Sequence, residues 1–218
     1  MKNYIALFEN IIEDLKTGED KNLIEVLELD FRTSHEDQDD IAYTSKEIGL
    51  ELSAELLEFY TQIHLVTIRW RLKSLPGTDS YDEMTTDLIS GSINIVPYYT
   101  MLTGDEEDYW KGKLWFEYDD AELKEDMQLL KPFDYYYSDD SNCACLQVHD
   151  GVVTPALSHF GNEAGLLDMG ITMDKYLSLL SKSRGFLFWP RAYLSENSAF
   201  RKQYDKYMPK LFEDTSLL

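Results

Sequence analysis

The segment "VTIRWRL", residues 66–72, alternates apolar and polar side chains with a period of two. This alternation is typical of a β-strand with one buried face and one exposed face. Because the apolar face of such a strand must be covered by other elements, the segment requires a sheet that packs against further structure. Pro76 and Gly77 follow and end the pattern.

Four further segments predict strands of the same sheet: 92–96, 113–118, 143–148, and the run "VVTPAL" that begins at Val152. Asp150 and Gly151 separate the last two, and this dipeptide favours a tight hairpin turn. The sequence therefore predicts strands that are joined by hairpins and mainly antiparallel.

Apolar residues at helical spacing predict helices towards both ends of the chain. The predicted helices are 3–16, a shorter one at 22–29, one capped by Ser53, one at 172–184 that ends at Gly185, and one at 196–212. Residues 30–47 break this periodicity and are interpreted as a solvated connection. Phe186, Phe188 and Trp189 are expected to close the core rather than to form an exposed docking surface.

These elements predict an α+β fold with a mainly antiparallel sheet flanked by helices. A chain of 218 residues is long enough for one sizeable core, so a single domain over 1–218 is expected.

The chain carries a formal net charge of -21 and is nevertheless 44% hydrophobic, which favours a packed globule over an acidic disordered tail. A charge of this sign repels nucleic-acid phosphates and anionic lipid surfaces, so neither is expected as a partner. A basic protein partner is favoured instead, although the charge also has a simpler explanation in solubility.

The N-terminal segment carries Glu9, Glu13 and Asp14 where a signal peptide needs an uninterrupted apolar run. No segment has the length of apolar sequence that a membrane span requires. Cys143 and Cys145 are two residues apart, too far along a strand for ordinary disulfide pairing. We therefore expect a reducing, cytoplasmic setting.

Motifs of catalysis are missing from the sequence: there is no glycine-rich phosphate loop, no G-x-S-x-G and no H-E-x-x-H. Cys143, Cys145 and His149 offer three possible zinc ligands, but two buried cysteines on a core strand are the favoured interpretation. We therefore expect no enzyme activity, no metal and no cofactor.

Acidic clusters occur at 35–40, 104–110 and 134–140, and none of them has the spacing of a calcium loop. The last two combine carboxylates with aromatic residues, as interface hot spots do. The predicted partner-binding residues are Asp105, Glu106, Glu107, Asp108, Tyr109, Trp110, Asp134, Tyr135, Tyr136, Tyr137, Asp139 and Asp140. The alternative for 134–140 is a solvated loop beside partly buried tyrosines, and for 35–40 the sequence favours a solvated loop.

Four segments, in this order, carry a family resemblance: "ELSAELLEFYTQIHLVTIRWRL", "GSINIVPYY", "LLKPFDYYYSDDSNCACLQV" and "ITMDKYLSLLSKSRGFLFWP". Together they resemble the SUKH superfamily of Smi/Knr-type proteins over about residues 45–190. The resemblance leaves an N-terminal helical extension at 1–30 and a C-terminal helix outside the core. His64 and Leu65 stand where family members often have Asn-Gly.

The resemblance implies a binding module. Many bacterial members of that superfamily are immunity proteins that bind and neutralise a toxin, and other members are regulatory or scaffolding proteins. The expectation is therefore a cytoplasmic immunity protein that presents an acidic, aromatic surface to a basic toxin. The alternative is a regulatory or scaffolding module without a toxin partner.

Overall fold

A computed structural model describes residues 2–73, 89–103, 129–137, 142–161 and 165–217 of the chain. Its helices are α1 (Tyr4–Asp20), α2 (Gln38–Glu47), α3 (Ala54–Tyr60), α4 (Tyr98–Thr103), α5 (Met173–Ser183), α6 (Trp189–Leu194) and α7 (Ala199–Leu211). Its strands are β1 (Ile24–Thr33), β2 (Glu51–Leu52), β3 (Ile63–Leu72), β4 (Ser90–Ile95), β5 (Leu130–Tyr137), β6 (Asn142–His149), β7 (Val152–Gly161) and β8 (Gly165–Thr172). The described strands form an eight-stranded, mainly antiparallel sheet with flanking helices, so the predicted α+β fold is confirmed.

The chain forms two compact units, each built from segments that are distant in sequence. The first unit comprises residues 1–2, 32–65 and 95–173, and the second comprises 3–31, 66–94 and 174–218. The sequence predicted a single domain over 1–218 with an N-terminal helical extension at 1–30. That extension is not purely helical, because β1 follows α1 within it.

In the first unit, β6 lies between β5 and β7 and is antiparallel to both. The predicted hairpin at Asp150 and Gly151 is confirmed, and both turn residues have positive φ, at 50° and 78°. β8 pairs antiparallel with β7, whereas the short β2 pairs with β7 in parallel. The strand predicted at 113–118 lies outside the described residues.

In the second unit, the side chain of Trp70 on β3 lies against Gly91 on β4, where a Cβ atom would overlap the indole ring. The indole Nε1 donates a hydrogen bond of 2.7 Å to the carbonyl of Arg184. Phe186 and Trp189 are each only 1% exposed, so these aromatic residues close the core as expected. Phe188 is half-buried and packs its ring against Phe200, with a centroid distance of 4.9 Å.

Two local predictions are wrong. Residues 22–29 were predicted to be helical, but Asn22 takes a left-handed conformation after α1 and the chain continues as β1. Lys73, the residue that follows β3, donates its N–H to the carbonyl of Leu23, the residue before β1, at 2.8 Å. Residues 30–47 were interpreted as a solvated connection, yet they contain the end of β1 and the whole of α2.

The remaining helix predictions are confirmed. The predicted helix at 3–16 extends to Asp20, and Ser53 caps α3 by accepting the Leu56 N–H. The C-terminal helix forms as α7. Helix α5 ends with Arg184 and Gly185 in left-handed conformations, as the glycine stop predicts.

Arg184 joins three segments of the second unit through its side-chain hydrogen bonds. Its Nε and Nη2 donate to one carboxylate oxygen of Asp14, at 3.0 and 2.6 Å. Nη1 also donates to the Lys182 carbonyl at 2.9 Å, and Nη2 to the Glu213 carbonyl at 3.0 Å. Arg184 therefore joins α1, the end of α5 and the segment that follows α7.

We predict that Arg184→Lys lowers the free energy of unfolding by about 2 to 4 kcal/mol, because an ammonium group cannot reproduce the fork of part-buried hydrogen bonds. The matched control is Arg71→Lys, whose ion pair with Glu25 is equally short, at 2.6 Å, but joins side chains that are 52% and 41% exposed. We expect the control to lose less than about 1 kcal/mol. Urea unfolding followed by tryptophan fluorescence measures both values, and equal losses would contradict the prediction.

Gly185→Ala tests the close approach of Gly185 to Ser92 and Ile93 of β4. A Cβ at Gly185 would lie 2.9 Å from the Ser92 carbonyl oxygen and would overlap the side chain of Ile93, at a φ of +69°. Gly49 has a φ of +84° with nothing within 4 Å, so Gly49→Ala reports the conformational strain alone, about 1 kcal/mol. We expect Gly185→Ala to cost about 1 to 3 kcal/mol more than this control in the same urea measurement.

Candidate protein-interaction surface

Helix α2 begins with a cluster of carboxylates that its own geometry explains. The Asp37 side chain caps the helix by accepting the N–H groups of Asp39 and Asp40, at 2.9 and 3.0 Å. Asp39 and Asp40 then lie in the first turn, where the helix dipole favours negative charge. Ile41 and Ser45 are buried and hold the inner face of the helix, so the carboxylates stay exposed.

Tyr98 at the start of α4 joins this acidic cluster. Its ring is buried and its hydroxyl donates to the Glu36 carboxylate, with an O–O distance of 3.4 Å. The next residue, Tyr99, is 52% exposed, and Tyr43 on α2 is 68% exposed. We call the set Glu36, Asp37, Asp39, Asp40, Tyr43, Tyr98 and Tyr99 the acidic tyrosine surface.

The carboxylates of this surface form no ion pair with any residue that the structure describes. None of the ion pairs between described side chains includes Glu36, Asp37, Asp39 or Asp40. Their negative field therefore extends into solvent, where it attracts cations. Tyr43 exposes its ring on the same helix as Asp39 and Asp40, and aromatic rings together with charge are typical of interface hot spots.

The pKa of the Tyr98 hydroxyl is raised by its surroundings. Burial raises the pKa of its hydroxyl above the ordinary value of 10.0, and the charges of Glu36 and Asp40 raise it further. A hydrogen bond with Thr44 acts in the opposite direction. Tyr98 therefore contributes stability in its neutral form below pH 10, and this contribution is lost as the pH rises through the folded-state pKa.

The sequence-predicted contact residues in β5 are not at a surface. Asp134 and Tyr135 are 0% and 2% exposed. They lie on an interior strand of the sheet, where Asp134 is opposite Ile95 of β4 and opposite Ala144 of β6. Neither side chain is therefore exposed for the predicted partner contact. Tyr136 and Tyr137 follow on the same strand. The predicted residues Asp105, Glu106, Glu107, Asp108, Tyr109, Trp110, Asp139 and Asp140 lie outside the described residues.

Cys143 and Cys145 are free and fully buried, with a distance of 3.4 Å between their Sγ atoms. Burial raises the pKa of the Cys143 thiol well above its ordinary value, and the nearby Cys145 and Asp134 raise it further. The favoured interpretation of two buried cysteines is confirmed. His149 is exposed instead, and the described residues contain no cluster of three or more such side chains with metal-binding geometry.

The sequence predicts a solvated loop at 35–40, so it does not identify the acidic tyrosine surface. Two signals were present: Asp37 followed by Asp39 and Asp40 is an N-cap with an acidic first turn, and Ile41 and Ser45 have helical spacing. Nothing local in the sequence places Tyr98, some fifty residues later, against this helix.

We predict that Glu36→Gln combined with Asp40→Asn lowers the pKa of Tyr98, because two nearby negative charges are removed. The pKa stays above 10.0, because burial is the largest cause of the shift. A pH titration of ring-labelled tyrosine by NMR measures the value. The control is Glu47→Gln, which removes an exposed charge from the other end of α2. An equal change in the control would contradict the proposed local field.

No family model, no curated protein and no solved structure matches this chain. The likeness to the SUKH superfamily therefore remains a resemblance of four sequence segments. None of the helices within the described ranges is both long enough and apolar enough to span a bilayer.

Proposed function

We propose that this chain is a binding protein that occludes a positively charged partner, and that it acts in the cytoplasm as an immunity protein against a cognate bacterial toxin. The observation that carries the proposal is the acidic tyrosine surface, whose carboxylates form no ion pair within the described segments. Such a surface gains favourable electrostatic interactions when a basic protein covers it.

The charge of the whole chain supports the same proposal. A net charge of -21 attracts a basic protein over a longer range than any single contact, and steering of this kind raises association rates by roughly 10 to 1000-fold. Tyr43 and Tyr99 supply amphipathic rings that lose little conformational entropy when they are covered. Charge thus accelerates encounter, and the tyrosines anchor the complex.

The proposed mechanism is occlusion and requires no catalytic step. A stable complex of this type buries on the order of 1,200 to 2,000 Å² of total surface, which is more than the acidic tyrosine surface alone provides. Other parts of the chain then contribute to the interface. The segments around 104–110 and 139–140 remain proposed contributors, because they combine carboxylates with aromatic residues in the sequence.

The alternative function is a regulatory or scaffolding module that binds a cellular protein and has no toxin partner. The acidic tyrosine surface suits that function equally well, since function depends on the partner and not on the fold. The two functions make different predictions about the neighbouring genes. If one of them encodes a large protein with a toxic C-terminal domain, immunity is favoured over scaffolding.

The test is co-expression with each neighbouring open reading frame, scored as rescue of growth and as co-purification. We expect protection against one neighbour. We also expect the triple variant Asp39→Asn, Asp40→Asn and Tyr43→Ala to weaken protection and to slow association by roughly tenfold or more.

The control variant combines Asp20→Asn with Glu196→Gln, which removes the same number of charges from exposed positions elsewhere in the chain. It should protect as well as the unchanged protein. Protection against no neighbour would reject the immunity role. Equal protection by both variants would remove the acidic tyrosine surface from the interface.

A further inference from the structure

We infer that Cys143 and Cys145 form a redox-modification site, at which a two-electron oxidant of the peroxide class converts their two thiols into a disulfide within β6. The inference goes beyond the proposed function and does not depend on it. Its basis is the contact between two free thiols on one strand, beside a stretch of β5 whose pairing with that strand is irregular.

The two thiols are already in contact. Both cysteines are free, and their Sγ atoms are 3.4 Å apart. The sequence predicts that they lie too far apart for ordinary disulfide pairing. Residues two apart on a strand do share one face, and their Cα atoms are separated by about 6.6 Å. This separation is within the range of about 4.4 to 6.8 Å that disulfides span, so the bond can form within the strand.

The reaction takes place in two steps. One thiolate attacks an oxygen of hydrogen peroxide, the O–O bond breaks, and the sulfur becomes a sulfenic acid while the departing hydroxide takes up the thiol proton as water. The second sulfur then attacks the sulfenic sulfur, so that the S–S bond forms, the S–O bond breaks and a second water leaves. In sum, two thiols and one peroxide give one disulfide and two waters.

The geometry favours the second of these steps. Groups held about 3 to 3.5 Å apart react efficiently, because the entropy of bringing them together is already lost. The two sulfur atoms, at 3.4 Å, lie within this range. The sulfenic acid is therefore captured by its neighbour before a second peroxide oxidises it further.

Burial protects the pair while β6 is closed, since both cysteines are 0% exposed. The adjoining part of β5 offers a route of access. Pro132 is opposite Cys145 and has no N–H to donate, and the pairing of β5 with β6 shifts register between Pro132 and Asp134 and again between Asp134 and Tyr137. Local opening is easiest where backbone hydrogen bonds are few, so we expect slow oxidation without global unfolding.

The disulfide should be reversible. The Cα separation along a strand is near the upper end of the range for disulfides, so the bond strains β6, and strained disulfides are the more easily reduced ones. A bridge across a single intervening residue also constrains the unfolded chain very little. We therefore expect the oxidised chain to unfold at a lower temperature than the reduced chain.

The experiment exposes the folded full chain to hydrogen peroxide, blocks the remaining thiols with iodoacetamide and measures the intact mass. The sequence has two cysteines, so the product is unambiguous. We expect a species that lacks two hydrogen atoms, takes up no iodoacetamide and returns to the starting mass with dithiothreitol. Its thermal unfolding midpoint should fall by a few degrees. Two thiols that stay open to alkylation, or disulfides only between chains, would overturn the inference.

Single variants separate the two steps. Cys143→Ser and Cys145→Ser each leave one thiol, so the sulfenic acid has no neighbour to capture it. Trapping with dimedone should then give roughly tenfold more adduct than in the unchanged chain. Equal amounts of adduct would contradict capture by the second thiol. Circular dichroism confirms that each variant is folded.

Pro132→Ala tests the route of access, because it supplies an N–H opposite Cys145. We expect oxidation to slow by roughly threefold to tenfold, as one added backbone hydrogen bond predicts. The matched control is Pro155→Ala on β7, where Phe160 and Ser158 are the residues opposite the cysteines. Its rate should not change. Equal rates in both variants would reject access through β5, and oxidation confined to unfolded chain would overturn the inference itself.

Discussion

The second unit depends on the contact of Trp70 with Gly91 and on the hydrogen bond from its indole to the Arg184 carbonyl. Trp70 and Arg184 are 114 residues apart in sequence, and Arg184 and Asp14 are 170 apart. One tryptophan and one arginine thus join the three segments that build this unit. The indole requires a residue without a side chain at position 91, because any Cβ there would occupy the same space.

In the first unit, an aromatic cluster connects the core to the candidate interface. Phe59 of α3 packs edge-on against Phe133 of β5, with ring centroids 5.4 Å apart. Tyr60 packs against Tyr98 at 6.0 Å and donates its hydroxyl to the Val96 carbonyl at 3.4 Å. This packing holds the Tyr98 ring, and with it the hydroxyl that orients Glu36. The geometry of the acidic tyrosine surface is therefore set by the buried rings beneath it.

The acidic start of α2 serves local stability and partner binding through the same charges. Asp37 satisfies backbone N–H groups that the first helical turn leaves without partners, and Asp39 and Asp40 interact favourably with the helix dipole. These contributions offset part of the repulsion between neighbouring carboxylates. A helix N-terminus thus favours several neighbouring carboxylates, and Asp37, Asp39 and Asp40 form no ion pair with any residue that the structure describes.

The sequence by itself determined the elements whose signals are local. The alternation of β3, the hairpin turn at Asp150, the Ser53 cap and the glycine stop at Gly185 each depend on residues within a few positions. Only the tertiary structure decided the rest. Residues 22–29 contain the start of a strand because β3 lies beside them, and Asp134 is buried on a strand that lies between β4 and β6. Tyr98 reaches Glu36 across 62 positions. Strand pairing and ring packing join residues that are distant in sequence. These contacts therefore cannot be predicted from local periodicity.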